Sequence, residues 1–193
     1  MFEGIDGAGK STQAKLLAKE LKKIGRKVVL TKEPTKGEWG REAKWLAQKV
    51  TDDHLQQVFA IDRAHHVKEL ILPALGEGEV VVCDRYALSS IAYSHHAKFA
   101  KVANAAFPRP DVTFILDVPV ALAWKRLSKR RSRSAFEQKK ELERVRRNYL
   151  KHKGHAVVID GTNEKSAVAK KIFSVVKRVL DTSVQKSKKP IRE

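Results

Sequence analysis

Gly4-Ile5-Asp6-Gly7-Ala8-Gly9-Lys10-Ser11 is the stretch of sequence that decides the fold, because it fits the phosphate-loop pattern G-x-x-x-x-G-K-[ST]. A short apolar run precedes it and a segment with helical spacing follows it, which is the context that the pattern requires. Glycines let the backbone N–H groups of such a loop face phosphate oxygens, and the start of the helix adds its positive dipole end. We therefore predict a nucleoside triphosphate site, with Lys10 on the β and γ phosphates and the Ser11 hydroxyl on Mg²⁺. A chance glycine turn before a helix is the alternative.

The rest of the chain alternates between short apolar runs and longer segments with helical spacing. The runs are rich in β-branched residues and lie at 27–31, 79–83, 112–118 and 156–160. Uninterrupted apolar strands are typical of a parallel sheet that helices cover on both faces. With the residues before the loop as a short first strand, we predict the three-layer α/β fold of P-loop NTPases, with about five parallel strands. The predicted helices lie at 10–24, 40–50, 53–75, 89–99, 120–129, 136–152 and 165–180.

Composition favours one strongly basic globular domain. The chain has 193 residues, and 40 Lys and Arg against 22 Asp and Glu give a formal net charge of +18. A single domain usually has about 100 to 200 residues, and we predict one domain over 1–181 followed by a basic, disordered tail over 182–193. No apolar run approaches the roughly 20 residues that span a bilayer, so we expect no membrane partner. The single cysteine, Cys83, leaves no internal disulfide and suits the reducing cytoplasm.

Three classes of protein share this phosphate loop: switch GTPases, ATPases that act on macromolecules, and kinases of small molecules. A GTPase ordinarily carries an N-K-x-D guanine-binding motif late in the chain, and Asn163-Glu164-Lys165 does not fit it. Motor ATPases usually need more residues and a second module. The size of the chain therefore favours a small-molecule kinase.

Further motifs resemble those of the thymidylate kinases, a family of P-loop nucleoside monophosphate kinases. The motif D-R-Y alone is weak evidence for this family. Its combination with S-S-x-A-Y after it and F-A-x-D-R-A before it is specific to the family. The resemblance implies a cytoplasmic homodimer that transfers the γ-phosphoryl of ATP to dTMP with Mg²⁺ and makes dTDP. The matching segments are FEGIDG at 2–7, TKEP at 31–34, FAIDRAHHV at 59–67, PAL at 73–75, CDRY at 83–86, SSIAY at 89–93, PDVT at 110–113, LDV at 116–118, FE at 136–137 and RVR at 144–146.

The resemblance assigns roles to charged residues around the loop. It implies that Asp84 holds a water on Mg²⁺ beside Ser11, and that Arg85 makes a two-pronged contact to the acceptor phosphate. Transfer between two nucleotides needs cations that screen the facing phosphates and groups that hold donor and acceptor in line. The predicted catalytic residues are Lys10, Asp84, Arg85 and Arg133, and the predicted metal ligands are Ser11 and Asp84. The predicted ATP-binding residues are Gly4, Asp6, Gly7, Ala8, Gly9, Lys10, Ser11 and Thr12.

The resemblance also describes an acceptor site. Phe59 and Arg63 are four residues apart and share a helix face, which in the family stacks on thymine and donates to its 4-oxygen. Tyr93 matches the tyrosine that leaves no room for a 2′-hydroxyl, and Asp6 matches the contact to the 3′-hydroxyl. An ordinary core aromatic is the alternative for Phe59, and polar residues of a helix N-terminus are the alternative for Ser89 and Ser90. The predicted acceptor-binding residues are Asp6, Glu33, Phe59, Arg63, Arg85, Ser89, Ser90 and Tyr93.

The basic stretch 125–133 has six basic residues in nine. In a kinase it leads into a mobile lid, which we predict over 128–137; a nucleic-acid contact and a solvated helix face are the alternatives. Many bacterial members of the family have D-R-F-E here, whereas Ser134 and Ala135 precede Phe136 in this chain. The lid cation is therefore expected from Arg131 or Arg133. Residues 161–163 are expected to border the adenine.

Two other functions stay open at this point. The first is a related nucleotide or deoxynucleoside kinase with another acceptor, because the shape of the site around Phe59, Arg63 and Tyr93 decides the substrate. The second is a basic nucleic-acid-binding protein that retains a nucleotide site. Aromatic residues do not alternate with the basic runs, so we expect no specific nucleic-acid partner. The segment 53–75 is expected at the homodimer interface, as the family resemblance implies.

Overall fold

The computed structural model describes residues 1–49, 53–127 and 139–187, which form a five-stranded parallel sheet with helices packed on it. The strands are β1 (Phe2–Glu3), β2 (Val28–Lys32), β3 (Val80–Asp84), β4 (Phe114–Asp117) and β5 (Val157–Asp160). Their order across the sheet is β2-β3-β1-β4-β5, and every neighbouring pair is parallel. The predicted α/β class, strand number and parallel sense are confirmed.

Helices connect the strands. They are α1 (Lys10–Lys23), α2 (Glu38–Leu46), α3 (Asp53–His66), a π-helical segment (Val67–Ile71), α4 (Leu72–Gly76), α5 (Ala87–Tyr93), α6 (Ala97–Ala103), α7 (Val120–Leu127), α8 (Lys139–Lys151) and α9 (Lys165–Ser187). Among the described residues, no helix combines the length and the apolar composition of a membrane span. The predicted lid over 128–137, including Arg131 and Arg133, lies outside the described residues.

The core lies on both sides of the sheet. On β4 the successive residues Phe114, Ile115 and Leu116 are each 1% exposed. Neighbouring residues of a strand point to opposite faces, so both faces of β4 are covered. Phe2 of β1 is fully buried and its ring centroid lies 5.5 Å from that of Phe114. Strand β1 has only two residues, as the short first strand predicted from the sequence, and it lies at the centre of the sheet.

Two predicted helices are interrupted. The helix predicted over 89–99 is divided into α5 and α6, because the Ser94 hydroxyl accepts a hydrogen bond from His96 N (2.9 Å) and forms a local turn. The helix predicted over 53–75 contains the π-helical segment, which ends just before Pro73. Proline has no N–H to donate to the carbonyl four residues earlier, so a regular α-helical ladder is impossible there.

Two predicted helix boundaries are also wrong. Helix α2 occupies residues 38–46 rather than 40–50. Helix α9 continues through Ser187, so residues 182–187 belong to the helix and not to the predicted tail. No glycine or proline occurs after Gly161 until Pro190, so no residue of that kind ends the helix earlier. The remaining predicted tail, 188–193, lies outside the described residues.

The carboxyl ends of the strands meet at one edge of the sheet. Phe2 of β1 is in register with Asp84 of β3 on one side and with Phe114 of β4 on the other. An acidic residue ends or directly follows each of the five strands at this edge, namely Glu3, Glu33, Asp84, Asp117 and Asp160. In open parallel sheets ligands bind outside the carboxyl ends of the strands, so we expect the ligand-binding site at this edge.

Candidate active site

The phosphate loop leaves β1 and enters α1 through a tightly packed turn. Gly4 has φ +133° and Gly7 has φ +82°. A Cβ atom would lie 2.6 Å from the Leu116 carbonyl oxygen at Gly4 and 2.5 Å from the Ala123 carbonyl oxygen at Gly7. Both positions therefore require glycine, for space as well as for the left-handed backbone. The loop is built around contacts that no larger residue allows.

Lys10 is buried at the start of α1. Its Nζ donates to the Ile5 carbonyl oxygen at 2.8 Å, and the residue is 6% exposed. Burial, followed by the charge of Arg85, lowers the pKa of Lys10 from 10.5 to about 8. A buried cation at the end of a phosphate loop can exchange a backbone carbonyl for a phosphate oxygen as its partner.

Asp84 and Ser11 lie together, as predicted. The Ser11 hydroxyl donates to Asp84 Oδ2, and Lys32 Nζ is 3.9 Å from the same oxygen. Asp84 is 3% exposed, and its Oδ1 atom is buried without a hydrogen-bond partner in the described part of the chain. Oxygen ligands of this kind suit Mg²⁺, which is usually held by one or two protein groups, phosphates and waters. The donor set therefore fits the metal.

Arg85 has an unusual backbone for a residue with a side chain, with φ +76°. Its N–H donates to Phe2 O (2.8 Å), and its carbonyl accepts from the Cys83 thiol (3.0 Å). This conformation turns the guanidinium toward the phosphate loop, where it donates to Asp6 and to Ser89 Oγ (3.1 Å). Backbone strain held by its surroundings is common at functional sites.

Asp6 and Tyr93 meet at this guanidinium. Tyr93 receives a hydrogen bond from Arg85 (3.2 Å) and donates to Asp6 Oδ2 (3.3 Å). Burial acts to raise the pKa of Asp6, but the charges of Arg85 and Lys10 and these hydrogen bonds outweigh it, so that the pKa falls from 3.8 to about 2. Asp6 is therefore a carboxylate at neutral pH.

Two further residues, Glu3 and Tyr149, belong to the Arg85 group and were not predicted from the sequence. Tyr149 of α8 accepts from Arg85 (3.2 Å), and its hydroxyl oxygen lies 2.8 Å from Ser89 Oγ. Glu3 of β1 accepts from Tyr86 N, Ser89 N and Ser89 Oγ, at 2.9, 3.2 and 2.5 Å, and from Tyr149 at 3.2 Å. Burial raises the pKa of Glu3. The only sequence signal for Tyr149 was its position on the apolar face of α8, four residues after Val145.

Arg63 and Glu33 form a second buried group. Arg63 Nε and Nη2 both donate to Glu33 Oε2, at 2.8 and 2.6 Å. Its Nη1 donates to Ser90 Oγ (3.1 Å) and to Asn104. Asn104 of α6 was not predicted. Since Ser89 and Ser90 are consecutive residues of α5, the Arg63 group borders the Arg85 group.

The remaining predicted residues have simpler surroundings. Phe59 is half-buried and packs against the hydrophobic core, so its ring is shared between core and surface. Ala8 is buried, Gly9 precedes α1, and Thr12 is exposed with its N–H bonded to Gly9 O (3.1 Å). The predicted catalytic Arg133 is not among the described residues.

Arg126 of α7 joins the phosphate loop to the segment predicted to border adenine. It donates to Gly7 O (3.2 Å) and to Gly161 O (3.4 Å). Arg146 of α8 binds Asp117, at the end of β4, through two hydrogen bonds of 2.6 and 2.8 Å. These arginines hold the rim of the strand edge in place.

Comparison with known proteins agrees with this arrangement. The family model described as thymidylate kinase matches residues 2–172. A protein from Pyrococcus horikoshii named probable thymidylate kinase is 43% identical over 164 residues, covering 78% of this chain and 80% of its own. A thymidylate kinase from Xylella fastidiosa is 39% identical over 93% of this chain and 90% of its own, and a probable thymidylate kinase from Archaeoglobus fulgidus is 36% identical over 93% and 94%. The phosphate loop, the Arg85 group and the Arg63 group thus lie in a chain that belongs to the thymidylate kinase family.

Proposed function

We propose that this protein transfers the γ-phosphoryl group of ATP to dTMP and produces ADP and dTDP. In the reaction the bond between the γ-phosphorus and the β–γ bridging oxygen breaks, and a phosphate oxygen of dTMP forms the new bond. The observation that carries the proposal is the position of Arg85. Its guanidinium is aimed at the phosphate loop beside Lys10, within a group that also contains Asp6 and Tyr93.

Lys10 and Arg85 supply the positive charge for the transfer. Lys10 is bonded to the Ile5 carbonyl and Arg85 to the Asp6 carboxylate. Phosphates of donor and acceptor replace or share these partners on binding. Preorganised cations of this kind stabilise the charge that develops in phosphoryl transfer. Arg133 is proposed as the lid cation on the donor phosphates.

The Ser11 hydroxyl and the free Oδ1 of Asp84 would hold Mg²⁺, Asp84 through a water. The metal supplies charge neutralisation across the β and γ phosphates. Asp84 Oδ2 accepts from Ser11, which keeps the serine oxygen at the mouth of the loop. This chain therefore contributes two oxygen groups, and the other ligands come from the nucleotide and solvent.

The acceptor site lies between the two arginine groups. Phe59 stacks on the base, and Arg63 donates to its 4-carbonyl oxygen. Asp6 accepts from the 3′-hydroxyl, and Tyr93 packs against the sugar where a 2′-hydroxyl would lie. Support comes from the hydrogen bonds that join Asp6 to Tyr93 and Arg63 to Ser90. Residues 161–163 border the adenine of ATP.

We also propose a homodimer in the cytoplasm. Several large apolar side chains on α2, α3 and α6 are exposed: Trp45 by 50%, Ile61 by 39%, Phe99 by 39% and Val102 by 77%. Helix α3 packs against both α2 and α6, so these side chains lie on adjoining elements. An exposed apolar surface of this kind marks an interface. Light scattering after size-exclusion chromatography should give twice the 21.8 kDa mass of the chain.

The decisive test is a coupled ADP-release assay with ATP and Mg²⁺. The acceptors are dTMP, dUMP, dCMP, dGMP, UMP and thymidine, which differ at the base, the 2′-position and the phosphate. We expect turnover with dTMP, weaker turnover with dUMP and little with the others. Preference for another acceptor would replace dTMP in the proposal, and ADP release that no acceptor stimulates would overturn it. The Arg85→Ala variant should lack activity, whereas the control Arg178→Ala, at an exposed site on α9, should retain it.

A further inference from the structure

His66, the last residue of α3, lies in a buried polar site that the proposed phosphate chemistry does not use. It is 6% exposed. Its Nδ1 atom is 2.9 Å from Glu33 Oε1, and its Nε2 atom is 2.7 Å from the Thr31 hydroxyl oxygen. A carboxylate only accepts hydrogen bonds, so Nδ1 carries a hydrogen, and the Thr31 hydroxyl satisfies the other nitrogen. The ring is therefore held in one orientation at both nitrogens.

Glu33 divides its two oxygens between His66 and Arg63. Oε1 faces His66, whereas Oε2 accepts two hydrogen bonds from Arg63. Arg63 and His66 are three residues apart on α3, so they stand on the same face of the helix. Without His66, the buried Oε1 atom of Glu33 would lose its hydrogen bond to Nδ1. The carboxylate could then rotate and present both of its oxygens to Arg63. The imidazole thus determines which oxygen Arg63 binds.

The hydrogen-bond count of Arg63 shows why its orientation matters. A guanidinium has five N–H donors in a fixed plane. Four of these N–H groups donate to protein acceptors. The Nε hydrogen and one Nη2 hydrogen donate to Glu33, and the two Nη1 hydrogens donate to Ser90 and Asn104. Among the described residues one Nη2 donor is left. Because the guanidinium is planar and four of its N–H groups are held by hydrogen bonds, the fifth N–H group of Arg63 points in a fixed direction.

We propose that His66 is a positioning residue that sets the base specificity of the acceptor site. By holding Glu33, it fixes the plane of Arg63 so that the remaining donor meets a carbonyl at position 4 of a pyrimidine. A 4-amino group would present hydrogens to that donor and would leave a buried N–H without an acceptor, which is costly. The site therefore discriminates a 4-oxo from a 4-amino pyrimidine monophosphate. This inference rests on the proposed function, because Arg63 has to face the base.

The test compares three variants with the wild-type enzyme. His66→Leu has a similar volume and removes both hydrogen bonds. His66→Asn keeps an N–H close to the position of Nδ1 and can still donate to Glu33. His65→Leu is the matched control, because His65 is the neighbouring histidine, its side chain is 53% exposed, and its contacts are with Glu69 and Trp39 rather than Glu33. For each protein, kcat and KM are measured with dTMP and with dCMP, together with the KM for ATP.

We expect His66→Leu to raise the KM for dTMP about tenfold, as for a lost hydrogen bond to a charged group. The ratio of kcat/KM for dTMP to that for dCMP should fall by about the same factor, with the KM for ATP within about twofold of wild type. His66→Asn should recover most of both losses, and His65→Leu should match wild type. A merely structural role would lower all parameters together and would not be rescued by asparagine.

The possible failures are distinguishable. Wild-type turnover of dTMP tests the proposed function alone. If the wild type phosphorylates dTMP and His66→Leu keeps the same dTMP to dCMP ratio, the role of His66 is refuted. Equal loss with leucine and asparagine would also refute it. If the wild type prefers another pyrimidine monophosphate, the proposed function fails, and the same variants on that acceptor still decide whether His66 controls discrimination at position 4.

Discussion

Removal of the Arg85 side chain tests both the chemistry and the backbone of the site. Arg85→Ala deletes a guanidinium that binds Asp6, Ser89, Tyr93 and Tyr149. A single arginine that stabilises phosphoryl transfer contributes about 10³-fold to 10⁵-fold in kcat in other enzymes of this chemistry. We expect a loss of at least about 10³-fold in kcat with dTMP. The ATP dissociation constant should change by less than about threefold, because the proposed partner is the acceptor phosphate.

The companion variant, Arg85→Gly, isolates the backbone contribution. A side-chain-bearing residue at φ +76° bears a cost of about 1 to 2 kcal/mol relative to glycine. Glycine loses more chain entropy on folding than alanine, which offsets about 0.4 to 1 kcal/mol of that gain. The net expectation is that the glycine variant has a free energy of unfolding about 1 kcal/mol above that of the alanine variant.

The assays are steady-state kinetics, calorimetric titration with ATP, and urea unfolding of both variants. The unfolding free energies of the alanine and glycine variants can be compared directly, because both variants lack the guanidinium and have lost the same hydrogen bonds. If ATP affinity falls as much as kcat, Arg85 acts on the donor and its proposed role is wrong. Equal unfolding free energies for the two variants would contradict the conformational cost at this position.

Three further predictions concern the same edge of the sheet. Tyr93→Ala should bring the kcat/KM for the ribonucleotide form of the acceptor within about tenfold of that for dTMP, because space opens beside the 2′-position; unchanged discrimination would remove Tyr93 from the sugar site. Lys10→Met should abolish turnover and raise the thermal midpoint at pH 7, because folding lowers the pKa of Lys10 from 10.5 to about 8. In the wild type, burying the charged Lys10 ammonium destabilises the folded state fully below the folded pKa of about 8, and this destabilisation disappears above the unfolded pKa of 10.5. The stability difference between the variant and the wild type should therefore shrink as the pH rises from 8 to 10.5. Asp84→Asn should raise the Mg²⁺ concentration for half-maximal turnover about tenfold with little effect on ATP binding in the absence of metal, and an unchanged Mg²⁺ requirement would refute its role.

Local patterns predicted the framework of this protein well. The phosphate loop is fixed by Gly4 and Gly7, whose close contacts leave no space for a side chain, so its sequence and its structure are tightly linked. Apolar runs predicted β2 to β5 to within two residues at each end. The family resemblance placed Asp84 beside Ser11, and the two side chains are in contact. Asp84 ends β3, and Ser11 lies in the first turn of α1, after the loop that leaves the neighbouring strand β1.

Helix ends were less predictable, because tertiary contacts decide them. At the break between α5 and α6, the local turn of the Ser94 hydroxyl is joined by a distant contact, because the Ser94 carbonyl accepts from Arg144 on α8 at 3.0 Å. Arg144 lies 50 residues away in sequence. Asn104, which holds Arg63, is likewise 41 residues from its partner. Neither contact leaves a periodic signal in the chain.

The most diagnostic segment of the sequence, 83–93, takes its geometry from such distant partners. Helix α5 has seven residues, and a helix of that length is not stable alone in water. Glu3 of β1 accepts from the N–H groups at its start, and Arg144 and Asn148 of α8 donate to carbonyls near its end. Ser89 of this helix touches the Arg85 group and Ser90 touches the Arg63 group. The contacts at both ends of α5 therefore fix the distance between Arg85 and Arg63. Under the proposed function, in which these arginines bind the acceptor phosphate and the base, that distance has to match the span of one nucleoside monophosphate.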